Sequence, residues 1–467
     1  MKFGLGQAVK RVEDKVLLTG TGNFTDDVNV GEGLAIHFVR SVHAHAQINK
    51  IEFEQASMQP GVHLIATQSD LDEDNIGEIQ CLTLVDNLDG RELIPVSRPP
   101  MSRGIARCAG DIIAMIVADT KEQAIDASEL IEIDYHPLEA VVDVISAQND
   151  DAPQLYPEYP KNRVFQWRTG NHEATIHQFE HARQAEDSIV ELTVINNRIA
   201  PNALEMRQIV AMPDPESETE DGLLIWSGTQ GTVSISRQIA KAFNMPSDMI
   251  HVRSGNVGGG FGYKIFLHPE QLCASWAAKK LKKKLRWQQD RSEGFVSDLQ
   301  GRDILSSAKA LVSKTGKIKA VQFHNQANLG SWLSNFGIYV PTTSTSRTLT
   351  TLYDISYVSL EVTGVVTNTP AVDAYRGAGR PEANYTMERL MDKIAFDLNI
   401  NRIEIRKIND DKVSTFILNE KELSYVDIPI WHSHNITNIG SSDLLTVFWI
   451  NEEYHLDTAD TYFNPVK

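Results

Sequence analysis

The sequence predicts an α/β fold of the α+β kind, on three observations. Strand-like and helix-like runs alternate through residues 34–143, and one long amphipathic helix begins at Glu382. Three glycine-rich loops, around residues 230, 260 and 377, each follow a strand-like run and lead toward a helix. Alternation of this kind buries a sheet under helices, and loops at strand ends are where such folds place their sites.

Residues 1–30 form a polar lead-in ending in the turn cluster GTGNFTDD. LAIHFVRS and DIIAMIVAD read as strands. KEQAIDASELIEI reads as a helix with Ala124, Ala127, Leu130 and Ile131 on its face, running into the strand IEIDY. Residues 1–146 are therefore expected to form one α/β domain, closed by HPLEAVVD, and the Pro- and Asp-rich stretch at 147–161 reads as a linker.

A second region, 162–408, carries the strands SIVELTVI, GLLIWSG and SLEVTGVVT and helices near 234–244 and 269–283. Its last helix, Glu382 to Asn399, places Met387, Leu390, Met391, Ile394, Ala395 and Leu398 on one apolar stripe, so its methionines are expected in the core. The basic run from Lys279 to Arg286 falls at a helix C-terminus, where cations complement the helix dipole, and is expected to be solvated. From residue 409 the texture becomes β-rich.

The chain has 467 residues and a formal charge of −18, which argues against a nucleic-acid or anionic-membrane surface. Cys81, Cys108 and Cys273 are far apart, so neither a disulfide framework nor an iron–sulfur cluster is expected here. No leader-like or membrane-spanning run is present, and a cytoplasmic protein is the expectation.

The stretch that organises the chain is SGNVGGGFGYK at 254–264. A bare backbone between a strand and a helix offers N–H groups to an anionic or oxo-bearing ligand, although such glycines also serve plain turns. The motif is neither a Walker loop nor a dinucleotide fingerprint. Gln230 in WSGTQGT and Arg376 and Arg380 in DAYRGAGRPEA occupy comparable loops. An amide, an arginine and a row of backbone N–H groups could converge on one oxygen-rich ligand. His43 and His45 alternate on a strand, and without a third ligand they read as packing residues rather than a metal site.

These three loops in this order, with NNRIAPNALEMR at 196–207 before them, resemble the molybdopterin-binding large subunits of the molybdenum hydroxylases. That family includes xanthine dehydrogenase, aldehyde oxidase and carbon monoxide dehydrogenase. RVEDKVLLTGTGNFTDD, VRSVHAHAQI and GDIIAMIVADT resemble its α/β hammerhead domain. The resemblance implies a hammerhead domain at 1–146 and the first part of a molybdopterin-binding domain at 162–408. Gln230 matches the glutamine facing an oxo ligand of molybdenum. Gly259, Gly260, Phe261 and Gly262 match the loop beside the metal, and Arg376, Gly377 and Ala378 match the loop facing metal and substrate.

The implied cofactor is molybdenum–molybdopterin, in its cytosine dinucleotide form. The implied partners are a flavin-binding subunit and a 2Fe–2S subunit, joined as an oligomer of heterotrimers. The implied reaction is oxidative hydroxylation of a small-molecule substrate, an aldehyde or N-heterocycle, with water as the oxygen source. Ile265 and Ala378 stand where xanthine enzymes carry a glutamate and a phenylalanine, which argues against purine specificity. Gly377 and Ala378 follow Arg376 in the loop where carbon monoxide enzymes place a copper-binding cysteine, which fits aldehyde-oxidase-like members. The family's G-x-G-E segment with its catalytic base has no counterpart here, so these residues are expected to be inactive alone, and a non-catalytic pseudo-subunit is the alternative. Residues 409–467 resemble the cupin end of capsular-polysaccharide sugar-nucleotide reductases, with His434 as a weak candidate metal ligand, which implies a junction near Asn409.

Overall fold

The computed structural model describes residues 10–29, 31, 33–182 and 187–409. The cupin-like reading of the tail and His434 therefore lie outside the described residues. The first elements are α1 (Asp14–Leu18), β1 (Leu34–Arg40), β2 (Ala46–Glu52), α2 (Glu54–Ser57), β3 (Val62–Ala66), α3 (Gln68–Glu73), β4 (Ile105–Ala106), β5 (Ile112–Ala118), α4 (Lys121–Ser128) and β6 (Glu132–Pro137). Next come β7 (Arg163–Gly170), α5 (His172–His181), β8 (Ser188–Asn196), β9 (Gln208–Pro213), β10 (Leu223–Trp226), α6 (Thr232–Ala242), β11 (Ile250–Arg253), α7 (Pro269–Leu281) and β12 (Leu285–Gln288). The last are α8 (Arg291–Ser297), β13 (Ile304–Val312), β14 (Ile318–Gly330), β15 (Tyr357–Val366), α9 (Arg380–Asp397) and α10 (Arg402–Asn409).

The strands form three sheets, of order β11-β10-β9-β12-β1-β5-β3, β7-β15-β14-β13-β8 and β4-β2-β6. The first sheet crosses the boundary that composition suggests. β1 runs parallel to β12, with Leu34 opposite Leu285, so the N-terminal region and the second region share one seven-stranded sheet. Pairing between residues so far apart in the chain, such as Leu34 and Leu285, leaves no mark in local composition. β5 explains why its sequence is an unbroken apolar run: it lies between β1 and β3 and all seven of its residues are buried.

Helix boundaries follow their end signals. Thr120 caps α4 by accepting the Gln123 N–H, and Pro269 occupies the first turn of α7. α7 stops where Lys282 turns into the left-handed region at φ +50°. Lys279, Lys280 and Lys282 pair with Asp221, Asp74 and Glu220, as a solvated helix end should. The stripe on α9 is buried as expected, with Met387, Leu390, Met391 and Ile394 at 0% exposure.

Two expectations need correction. α4 ends at Ser128, so Leu130 and Ile131 lie beyond the helix, because the β-branched run that follows pairs with β2, Ile133 opposite Ile51. The stretch at 147–161 is not a free linker. Leu155, Tyr156 and Tyr159 are buried in the main core, and their neighbour Asn162 binds the carbonyls of Ala147 and Pro153.

Candidate functional site

The three loops meet on one face, and each contact has a visible cause. Gln230 stands between the end of β10 and the start of α6. Its N–H donates to the Lys264 carbonyl at 3.1 Å, and the Thr229 hydroxyl donates to the same oxygen at 2.6 Å. The Gly262 N–H donates to Gln230 Oε1 at 2.9 Å. A backbone N–H needs an acceptor, so this bond fixes the amide's orientation and leaves the NH2 group of the exposed Gln230 without a partner among the described residues.

The glycines are there for proximity. A Cβ on Gly260 would overlap the Gln230 side chain, and one on Gly262 (φ +102°) would stand 2.7 Å from the Ala374 carbonyl. The Arg376 N–H donates to the Phe261 carbonyl at 2.8 Å, which joins the glycine loop to the arginine loop. Phe261 (φ +46°) and Ala378 (φ +38°) both hold left-handed backbone without being glycine, and strain of this sort collects at ligand-facing loops. Asn23 of the lead-in closes the outer side, exchanging bonds with Asn256.

The surface so formed is a donor array. Among the described residues, the N–H groups of Gly259, Gly260 and Phe261 have no acceptor, and the exposed Arg376 guanidinium has no partner. Gly377 (φ +95°) and Ala378 sit beside it in the loop that leads into α9. Arg380, grouped with Arg376 in sequence, differs in use, since it bonds the Gly377 carbonyl in its own loop and the Ser344 hydroxyl of a neighbouring segment.

Behind the array lie residues that loop composition does not reveal. Gly258 N–H donates to Glu205 Oε2 at 2.8 Å, and Lys264 Nζ, almost fully buried, reaches Glu205 O at 2.6 Å and Oε2 at 3.1 Å. Burial lowers the Lys264 pKa, and the Glu205 charge opposes that shift. Arg302 braces the other loop through the carbonyls of Tyr375 and Arg376 and an ion pair with Glu382. A lone lysine in an otherwise small and apolar loop was the one available sign, because a buried ammonium requires a carboxylate.

His45 is buried with Nδ1 on the Glu139 carbonyl, and His43 packs edge-on against Tyr135, so both are packing residues. Among the described residues no group of three or more His, Cys, Asp or Glu side chains could hold a metal ion. No helix among them is long and apolar enough to cross a membrane.

The molybdopterin cofactor-binding domain family matches residues 155–410, and the aldehyde oxidase and xanthine dehydrogenase a/b hammerhead domain matches 19–139. A polysaccharide biosynthesis C-terminal domain matches 399–462. The chain is 28% identical over 407 residues to the nicotine 6-hydroxylase large subunit of Paenarthrobacter nicotinovorans, covering 87% of this chain and 48% of that one. It is 30% identical over 433 residues to the carbon monoxide dehydrogenase large chain of Afipia carboxidovorans, covering 86% and 49%. The solved CO dehydrogenase from Oligotropha carboxidovorans superposes with a TM-score of 0.78 at 29% identity, over 87% of this chain and 50% of that one. The chain thus spans about half the length of these relatives. A different ratio holds for the nicotinate dehydrogenase large molybdopterin subunit of Eubacterium barkeri, 25% identical over 413 residues, where 88% of this chain covers 90% of the relative.

Proposed function

Because the chain belongs to the molybdenum hydroxylase large-subunit family, we propose that its three loops hold one face of an oxo-bearing molybdopterin cofactor. In this reading the protein hydroxylates an aldehyde or N-heterocycle, with water as the oxygen source. The observation that carries the reading is the fixed Gln230 amide, whose NH2 group, like the N–H groups of Gly259, Gly260 and Phe261, has no partner among the described residues. The donor set fits the group: the Gln230 NH2 group, the N–H groups of Gly259, Gly260 and Phe261 and the Arg376 guanidinium are donors or a cation, which suits anionic oxygens.

Bound molybdopterin supplies the oxygen-transfer and two-electron chemistry. This chain's residues bind and orient. The Gln230 amide presents its donors to an oxygen without reorganising, since Gly262 already holds its own oxygen. Phe261 and Tyr375 place aromatic faces 6.4 Å apart at the junction of the two loops, and Arg376 adds a charge beside them. Ile265 and Ala378 offer no carboxylate or ring to grip a purine, which favours the aldehyde-oxidase-like substrate class.

The base that accepts a proton during attack has no counterpart in these residues, so turnover needs the second half of the family fold. That half is carried further along the same polypeptide or by another chain. The relatives' names as large subunits and large chains support partner subunits, which this reading takes to be a flavin-binding subunit and a 2Fe–2S subunit in an oligomer of heterotrimers. The cytosine dinucleotide form of the cofactor is part of the same proposal.

The test is oxidation of a panel of aldehydes and N-heterocycles, with an artificial electron acceptor, by the chain co-expressed with those partners. Gln230→Ala should lower kcat by about 10²-fold, the usual effect of deleting one preorganised donor. A variant as active as the wild type would contradict the assignment.

A further inference from the structure

Lys264 touches every segment on the glycine-loop side of the site. Its ammonium holds the Glu205 carbonyl and carboxylate, its carbonyl accepts from Gln230 and Thr229, and its N–H reaches the Gly260 carbonyl at 3.4 Å. Glu205 in turn makes a two-point grip on Gly258, accepting that N–H at 2.8 Å and donating its own to the Gly258 carbonyl at 3.0 Å. Glycine is needed at 258 and 228 because a Cβ at either position would run into Glu205.

As a stabilising device this pair is poor. Both side chains are buried, at 1% and 7% exposure, so two charges are taken out of water. Glu205 Oε1 is also buried and has no hydrogen-bond partner among the described residues. Desolvation of a pair like this consumes most of its attraction, and an apolar replacement of similar shape is often as stable. What an apolar replacement would lack is the three-way tie between segments 203–206, 228–231 and 258–264.

We propose that Glu205 and Lys264 are positioning residues, which lock the glycine loop against the Gln230 loop and so aim the Gln230 amide and the free N–H row before any ligand arrives. The identity of what is aimed at rests on the molybdopterin reading, whereas the lock is a property of the protein alone.

Hydrogen exchange of the full-length chain separates the two. The reporter amides are Gln230, Gly258 and Gly262, each hydrogen-bonded within the lock. In Lys264→Met they should exchange about tenfold faster or more, while amides of β13, β14 and α9 keep their rates. The double variant Glu205→Gln, Lys264→Met removes the unpaired buried charge. It should recover melting temperature while the reporters remain fast. Restored protection in the double variant would overturn the proposal, because the pair would then matter only for charge balance. Reporter amides at the wild-type rate in the single variant, or a rise shared by all amides, would overturn it as well. If the reporters loosen as stated while wild-type protein takes up no molybdenum, the lock stands and the cofactor reading fails.

Discussion

Gly262 lies against the Ala374 carbonyl with φ +102°, so alanine there meets both a steric and a backbone penalty. Gly262→Ala should cost about 1–3 kcal/mol in urea unfolding and weaken the Arg376–Phe261 link between loops. His268 sets an acid limit. It is buried at the N-terminus of α7, with Nε2 on the Tyr263 carbonyl at 2.8 Å. Burial first, then Arg207, lowers its pKa from 6.5 to about 3. The folded value lies below the unfolded one, so its contribution is full above about pH 6.5 and is lost as pH falls toward 3. Unfolding free energy should drop by about 3 kcal/mol between pH 7 and 4 from this group, and His268→Gln should flatten that slope. At this scale Gln230, the glycine loop and Arg376 were legible, because bare loops between strand and helix stand out locally. Glu205, Arg302 and the pairing of Lys264 were not, since their partners lie 59 and 80 residues away.

The helices and strands are welded by one buried ion network. Glu270 in the first turn of α7 meets Arg40 of β1 at 2.7 Å and Arg207 ahead of β9 at 2.6 Å, and Arg207 also meets Asp298. Burial opposes ionisation of Glu270, but Arg207 and Arg40 outweigh it and hold its pKa well below the ordinary range. Glu270→Ala leaves two guanidiniums buried without their shared partner, and should cost about 3–5 kcal/mol by thermal or urea melts, far more than an exposed pair such as Lys282–Glu220. Periodicity revealed α9 because its buried stripe is long. It overran α4, which ends at Ser128 ahead of the pairing of β6 with β2 from Glu132 onward. Composition made a linker of 147–161, where Pro and Asp mask two tyrosines whose hydroxyls reach the Ser331 and Ile94 carbonyls.

Over the whole molecule, the seven-stranded sheet joins the hammerhead match to the molybdopterin-domain match, so the two do not separate along the chain as composition suggests. The other end closes at α10. Arg406 pairs with Glu388 and Asp392 of α9, and Asn409 binds the Ile318 N–H at 2.7 Å and the Gly316 carbonyl at 3.0 Å. Residues 402–409 therefore pack as part of the molybdopterin domain, although the polysaccharide-domain match begins at 399. Whether this face holds the cofactor is read from molybdenum and pterin content by mass spectrometry, for the chain alone and co-expressed with the partner subunits and the second half of the fold. Molybdenum should be near one per chain in the assembled protein, with a marked loss in Gln230→Ala. No molybdenum in any assembly would contradict cofactor binding, leaving the loops as marks of descent without a ligand.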